Sequence, residues 1–142
     1  MSFLTWHQGL SVGHAALDFD HQTLINLINH LHETLTRGSD DQVIGTTIAA
    51  LEHYVEAHFA REEAIMADAG YPDLEQHRRV HDEIRRVVAD IADLHARAPR
   101  DLNHAEVLRF LKIWLLSHIQ KADMRYAPYL AASDGDSPDS SG

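Results

Sequence analysis

Between residues 58 and 81, in the stretch HFAREEAIMADAGYPDLEQHRRVH, two pairs of metal-competent side chains stand four residues apart. His58 and Glu62 form one pair and His77 and His81 the other. At about 3.6 residues per turn, each pair projects from one face of its helix. Between the pairs, Gly70-Tyr71-Pro72-Asp73 joins a helix stop, a turn and a helix start. The segment must fold back as an antiparallel hairpin, turning both pairs toward a common interior. A chain built around such a hairpin needs further helices to close that interior.

The rest of the sequence supplies them. A first helix carries the apolar stripe His21, Leu24, Ile28, Leu31, Leu35, with Asp18 or Asp20 as its expected cap and Gly38 as its end. Ser39, Asp40 or Asp41 caps the second, whose stripe is Ile44, Ile48, Leu51, Val55, His58, Glu62, Ile65. The third runs Leu74, His77, His81, Ile84, Val88, Ile91 and stops before Pro99. The fourth opens on Asn103-x-x-Glu106, a variant capping box, and runs Leu108, Leu111, Leu115, His118. Four amphipathic helices of roughly 18 to 26 residues with short connections predict an all-α, up-down-up-down antiparallel four-helix bundle. We expect one domain over 1–132, with 1–17 as an N-terminal arm. The polar, acidic stretch 133–142 is expected to be a disordered tail.

His21, His58, His77, His81, His118 and Glu62 thus stand where the stripes otherwise place Leu, Ile or Val. A polar group buried there without a partner costs roughly several kcal/mol. Any one of these histidines alone reads as a core residue satisfied by a hydrogen bond. On the inward seams of all four helices together, they call for a single shared partner, and a metal centre provides one. His7, His14, His30, His32, His53, His95 and His104 lie in the arm, on outward faces or near helix ends, where solvated histidine is the ordinary reading. Glu63 lies off the stripe, so Glu62 is the better ligand of the two.

Asp123 is one residue late for the fourth stripe. Five residues of α-helix turn it about 140° away from His118. Either it is a surface residue, or the helix opens there into a wide turn that swings the carboxylate inward.

Composition narrows the chemistry. With no cysteine in 142 residues, disulfides, iron–sulfur clusters and thiolate-ligated haem are excluded. A net charge of −10 disfavours nucleic acid and anionic membrane as partners. The start of the sequence lacks the basic and apolar regions of a signal peptide, and no apolar run could span a bilayer, so a cytoplasmic protein is expected. Seven ligands are too many for one tetrahedral zinc. If Asp123 bridges alongside Glu62, five imidazoles, two bridging carboxylates and a bridging oxide or hydroxide leave one position open on a pair of six-coordinate metals. An imidazole-rich, oxygen-bridged pair suits iron. The Glu-x-x-His motifs of ferritin-like di-iron enzymes do not occur.

At these residues the sequence resembles the hemerythrin family in its single-domain bacterial form. The matching elements are Asp18-x-x-His21 with Leu24, His58-Phe59-x-x-Glu62-Glu63 and Gly70-Tyr71-Pro72. His77-x-x-x-His81 and Trp114-Leu115-x-x-His118-Ile119-x-x-x-Asp123-x-x-Tyr126 complete them. The resemblance spans about residues 3 to 130. It implies a non-haem di-iron centre with a bridging oxide or hydroxide that binds dioxygen reversibly, for carriage, storage or delivery. It implies His77, His81 and His118 on one iron, His21 and His58 on the other, and Glu62 and Asp123 as bridges, with the open position on the two-histidine iron. Leu24, Phe59, Trp114, Leu115 and Ile119 match positions that line the oxygen pocket. A di-iron peroxidase or nitric oxide reductase, or an oxygen or iron sensing or storage protein, is the alternative class. His14 departs from the aliphatic residue usual at its position.

Overall fold

The structure, a computed structural model, describes residues 3–136. Helix α1 (Ala15–Arg37) starts earlier than the aspartates suggest. Its cap is His14, whose Nδ1 accepts from the Leu17 backbone N–H at 3.4 Å. Asp18 and Asp20 do not cap it, because Leu17 is already committed to the core within the first turn. Asp18 instead reaches back to the arm, accepting from Ser11 Oγ at 2.5 Å and from the Val12 N–H at 2.9 Å. The arm therefore ends at residue 14. Its far end is clamped by Asn29, whose side chain exchanges two hydrogen bonds with the backbone of Leu4.

The other boundaries follow their local chemistry. Gly38, at φ +70°, closes α1 while the Ser39 N–H bonds back to the Thr34 carbonyl at 3.1 Å. Asp40 caps α2 (Asp41–Asp68) by accepting from the Val43 N–H at 2.9 Å. Gly70, at φ +71°, reverses the chain, and the Tyr71 N–H bonds to the Met66 carbonyl at 3.0 Å. Helix α3 (Leu74–Arg97) then returns antiparallel to α2. Asn103 caps α4 (His104–Ser117) through the Glu106 N–H at 3.0 Å. From His118 to Asp123 the winding widens to a π segment, and α5 (Met124–Asp136) continues from it. Ser133 was expected to begin the tail, but α5 runs on to Asp136; residues 137–142 lie outside the described residues.

Helix α1 packs on α2 and α4, and α2 on α3, giving the four-helix bundle with no strand among the described residues. Its core has two apolar clusters. The larger contains Leu24, Ile28, Leu51, Phe59, Leu111 and Ile119; the smaller contains Leu17, Met66, Tyr71 and Tyr126. Along each contributing helix a polar residue sits between them: His21 between Leu17 and Leu24, Glu62 between Phe59 and Met66, Asp123 between Ile119 and Tyr126. The core is thus interrupted by one polar layer with an apolar cluster on either side.

Candidate metal centre

That polar layer contains all seven side chains singled out from the sequence, each buried. They form two overlapping groups whose nitrogen and oxygen atoms lie within 4.8 Å of one another. One is His77, His81 and His118, the other His21 and His58, and both share Glu62 and Asp123. Every histidine turns Nε2 inward.

The two carboxylates divide their oxygens between the groups. Glu62 Oε1 lies 3.0 Å from His77 and 2.9 Å from His81, while Oε2 lies 3.2 Å from His58 and 3.7 Å from His21. Asp123 Oδ1 lies 3.1 Å from His77 and 3.0 Å from His118, while Oδ2 lies 3.0 Å from His21. Asp123 can do this only because of the π segment. An i→i+5 winding brings five residues to little more than one turn, returning Asp123 to the face of His118.

Close approach is not the same as mutual satisfaction. Of the atoms facing the layer's centre, His21 Nε2, His58 Nε2 and both oxygens of Asp123 are buried without a hydrogen-bond partner. Side chains packed this tightly yet unpaired are aimed at a shared point rather than at each other. Left so, each would cost about 1–3 kcal/mol or more. The cluster is able to hold metal, and its imidazole-rich, carboxylate-bridged donor set fits a pair of irons.

Without a metal, protons must neutralise the layer. Burial works against charge on His21 and His118, but the neighbouring Asp123 and Glu62 raise them to about 9 and about 10. Burial and the Glu62 charge push Asp123 upward, yet His118 and His21 win and hold it well below the usual carboxylate range. Glu62 is lowered against its burial by the surrounding histidines.

An outer layer fixes the ring orientations. Asp20 is buried and accepts from Tyr54 Oη at 2.8 Å, from Arg61 Nε at 2.8 Å and from His58 Nδ1 at 2.9 Å. Burial opposes its charge, but these donors hold Asp20 well below the ordinary carboxylate range. On the other side Glu63 accepts from His81 Nδ1 at 2.8 Å and from Arg85 at 3.1 Å. Such partners set the tautomer that leaves Nε2 free to ligate. Tyr126 Oη donates to Glu62 Oε2 at 2.9 Å from a fully buried position. Sequence reasoning read Asp20 only as a cap and Glu63 only as a failed ligand. Their signal was adjacency, since each immediately neighbours an inward residue.

Leu24, Phe59, Trp114, Leu115 and Ile119 all belong to the larger apolar cluster. Phe59 stacks on His81 with ring centroids 3.7 Å apart, and Trp114 meets Phe59 edge-on at 6.1 Å. Of the histidines set aside, His14 caps α1 and His53 is exposed. His95, expected in solvent, is instead buried against Gly45 of α2, where a missing side chain admits its ring.

An α-helical bundle whose core holds two imidazole groups sharing a pair of buried carboxylates defines a class of metal-binding helical proteins. Comparison with known proteins gives the family. Residues 12–130 match the hemerythrin HHE cation binding domain. A bacteriohemerythrin from Methylococcus capsulatus is 36% identical, over 93% of this chain and the whole of that relative. A myohemerythrin from Theromyzon tessulatum is 27% identical, over 85% of this chain and 88% of that one. The crystal structure of a wild-type hemerythrin superposes with a TM-score of 0.85 at 32% identity, covering 92% of this chain and 99% of its own. The chain belongs to the hemerythrin family.

Proposed function

We propose that this protein binds dioxygen reversibly at a non-haem di-iron centre, as a cytoplasmic carrier, store or donor of oxygen rather than an enzyme. One observation carries the reading: each of Glu62 and Asp123 turns one oxygen to the three-histidine group and the other to the two-histidine group. That is the arrangement of bridging ligands. His77, His81 and His118 would hold one iron, and His21 and His58 the other, with Glu62 and Asp123 across both and an oxide or hydroxide completing the bridge. The smaller histidine set would leave room for a small ligand on its side. An iron pair held by these residues would supply the electrons for reversible dioxygen binding.

The protein's own residues supply orientation and dryness. Asp20 and Glu63 hold His58 and His81 with Nε2 inward. Tyr126 holds Glu62 from the side of the smaller cluster. Leu24, Phe59, Trp114, Leu115 and Ile119 form the proposed oxygen pocket. An apolar lining of this kind stays dry and admits a small apolar gas, and excluding water blocks proton leakage to the centre. The proposal needs neither nucleic acid nor membrane; among the described residues no helix is long and apolar enough to cross one.

Two measurements on the same preparation test this. Metal analysis should return two irons per chain. The optical spectrum of the reduced protein should change on admission of air and revert when oxygen is removed. One zinc per chain, or an oxidation that does not reverse, would refute the proposal.

A further inference from the structure

Three of the chain's four tyrosines gather on one side of the polar layer. Tyr126 and Tyr129 stand three residues apart on α5, and therefore on one face of it. Tyr71, in the turn after Gly70, sets its ring between them. Its centroid lies 6.2 Å from that of Tyr126 and 5.1 Å from that of Tyr129, edge to face in both cases. The inner end of this row is fully buried: Tyr126 Oη donates to Glu62 Oε2 at 2.9 Å, and its ring lies 5.7 Å from that of His77. The outer end is open, with Tyr129 41% exposed.

Packing alone asks for less than this. The buried residues of the smaller cluster are otherwise aliphatic apart from Met66, and phenylalanine would fill the volume of Tyr126 as well. What a phenol adds is the capacity to give an electron, together with its O–H proton, to a strong oxidant. That step needs a proton acceptor in place, and Glu62 is one. The other oxidisable rings near the layer lack such an arrangement. Trp114 lies 6.3 Å from His118, but its Nε1 is buried without a hydrogen-bond partner. Tyr54 donates to Asp20, one residue removed from the ligand set.

We propose that Tyr126, Tyr71 and Tyr129 form an exit for oxidising equivalents from the metal layer to the surface, a role that rests on the dioxygen-binding reading above. The oxidant is hydrogen peroxide, the two-electron reduction product released when a dioxygen-binding centre oxidises. Peroxide takes up two electrons and two protons, its O–O bond breaks, and two waters form. With the irons already oxidised, each electron comes from a phenol. Tyr126 gives up an electron and passes its proton to Glu62 Oε2 along the bond already made. Tyr129 then returns an electron to Tyr126 across the ring of Tyr71. The proton comes back from Glu62, and Tyr129 releases its own to water. A soluble hydrogen-atom donor of the enediol or thiol class restores the Tyr129 phenol. Two such passages release at the surface the two protons consumed at the layer. Without the exit, peroxide transfers oxygen to what lies nearest. Met66, fully buried in the same cluster, is the thioether that would become sulfoxide.

The test uses the full chain, loaded with iron and first checked for two irons and reversible oxygenation. The oxidised protein is treated with hydrogen peroxide and a nitroso spin trap, and peptide mass spectrometry locates trap adducts and methionine sulfoxide. The parent should carry the adduct on Tyr129 and little sulfoxide at Met66. Metal-free protein under the same peroxide should carry no adduct. Tyr71→Leu should lose the adduct although Tyr129 is untouched, with circular dichroism and iron content verifying the fold. Tyr129→Phe, at an exposed position, should also lose it, and both variants should raise Met66 sulfoxide several-fold. An adduct on Trp114 or Tyr54 in place of Tyr129, one that persists in Tyr71→Leu, or one that forms equally without iron would overturn the proposal. So would unchanged Met66 sulfoxide in Tyr129→Phe, whether or not Tyr71→Leu folds. Protein that oxygenates reversibly yet yields no adduct overturns the exit alone; protein that holds no iron overturns the dioxygen reading with it.

Discussion

The two halves of the polar layer are built from the same side chains and differ in what surrounds them. His21 and His58 lie wholly inside, and the outer partner of His58 is Asp20, itself buried and bonded by three side chains. His77 and His118 are slightly exposed, the outer partner of His81 is the partly exposed Glu63, and a groove reaches His118. The two-histidine half, on which the proposed function places the open position, is the better sealed. The three-histidine half stands nearer to solvent. Fewer histidines and more enclosure go together here, as the proposed function requires: a half that is to take up a small molecule is the half that must exclude water.

The widest consequence concerns both halves at once. Removing the metal should destabilise the fold by roughly several kcal/mol, because buried donors lose their common partner. Thermal unfolding with and without chelator should show a large fall in Tm. The metal-free chain should also acquire a pH dependence of calculable sign. His21 and His118 are raised to about 9 and about 10, so the stability they give is full below about 6.5 and lost as pH rises through those values. Asp123 and Glu62 are lowered, so their contribution is full above about pH 4 and lost as pH falls further. Metal-free stability should therefore peak between about pH 4 and 6.5. A metal-free profile flat from neutral to pH 10 would mean that the histidines are not charged by their carboxylates.

The next test acts on the sealed half alone. Asp20→Asn removes the charge that holds His58 and Arg61. Loss of such an outer partner typically weakens metal binding by about 10–100-fold. Iron titration should show one equivalent weakened and the other retained. Equal loss of both would erase the distinction between the halves.

The division between what could and could not be read in the sequence follows the same line. Stripe periodicity located the helices and the inward histidines, because burial imposes a 3.6-residue rhythm that the sequence must carry. It could not decide Asp123, since the rhythm presumes regular α geometry and the π segment breaks it. Nor could it find Asp20, Glu63 or His95. Asp20 and Glu63 sit beside the stripe rather than on it, and their partners, Arg61 and Arg85, are fixed only once α1, α2 and α3 have packed. His95 is buried because Gly45 on another helix makes room, a pairing with no local trace. The cap of α1 failed for a related reason: an aspartate is a good cap, but Asp18 was needed to hold the arm.

A third prediction asks whether dryness, rather than ligand count, protects the position proposed to take up dioxygen. Leu24, one turn from His21, and Ile119, next to His118, are both fully buried. Leu24→Ser or Ile119→Ser should leave two irons bound yet speed autoxidation several-fold, on the order of the gain from admitting water beside the centre. His53→Ala, on an exposed face, should change neither. The decay of the oxygenated absorption band in air, with iron content checked for each variant, gives the answer. Decay at the parent rate in both pocket variants would move the protection from the apolar lining to hydrogen bonding within the centre.

The smallest effect is expected where the comparison is closest. Glu63→Gln makes, on the solvent side, the same carboxylate-to-amide change that Asp20→Asn makes on the sealed side. The amide oxygen can still accept from His81 Nδ1. The displaced Arg85 keeps Glu56 and Asp82, at 2.7 and 2.8 Å. Water reaches more of what remains here, because the Glu63 side chain is 15% exposed against 2% for Asp20. A solvent-screened contact of this kind contributes about 0.2–1 kcal/mol, or roughly fivefold in affinity at most. Asp20 has no such reserve, since three side chains converge on its one enclosed carboxylate. Iron affinities measured for the two variants under identical conditions should therefore differ by several-fold or more, with Glu63→Gln the milder. If Glu63→Gln proves as costly as Asp20→Asn, enclosure is not what separates the two halves, and the orientation of His81 matters as much as that of His58.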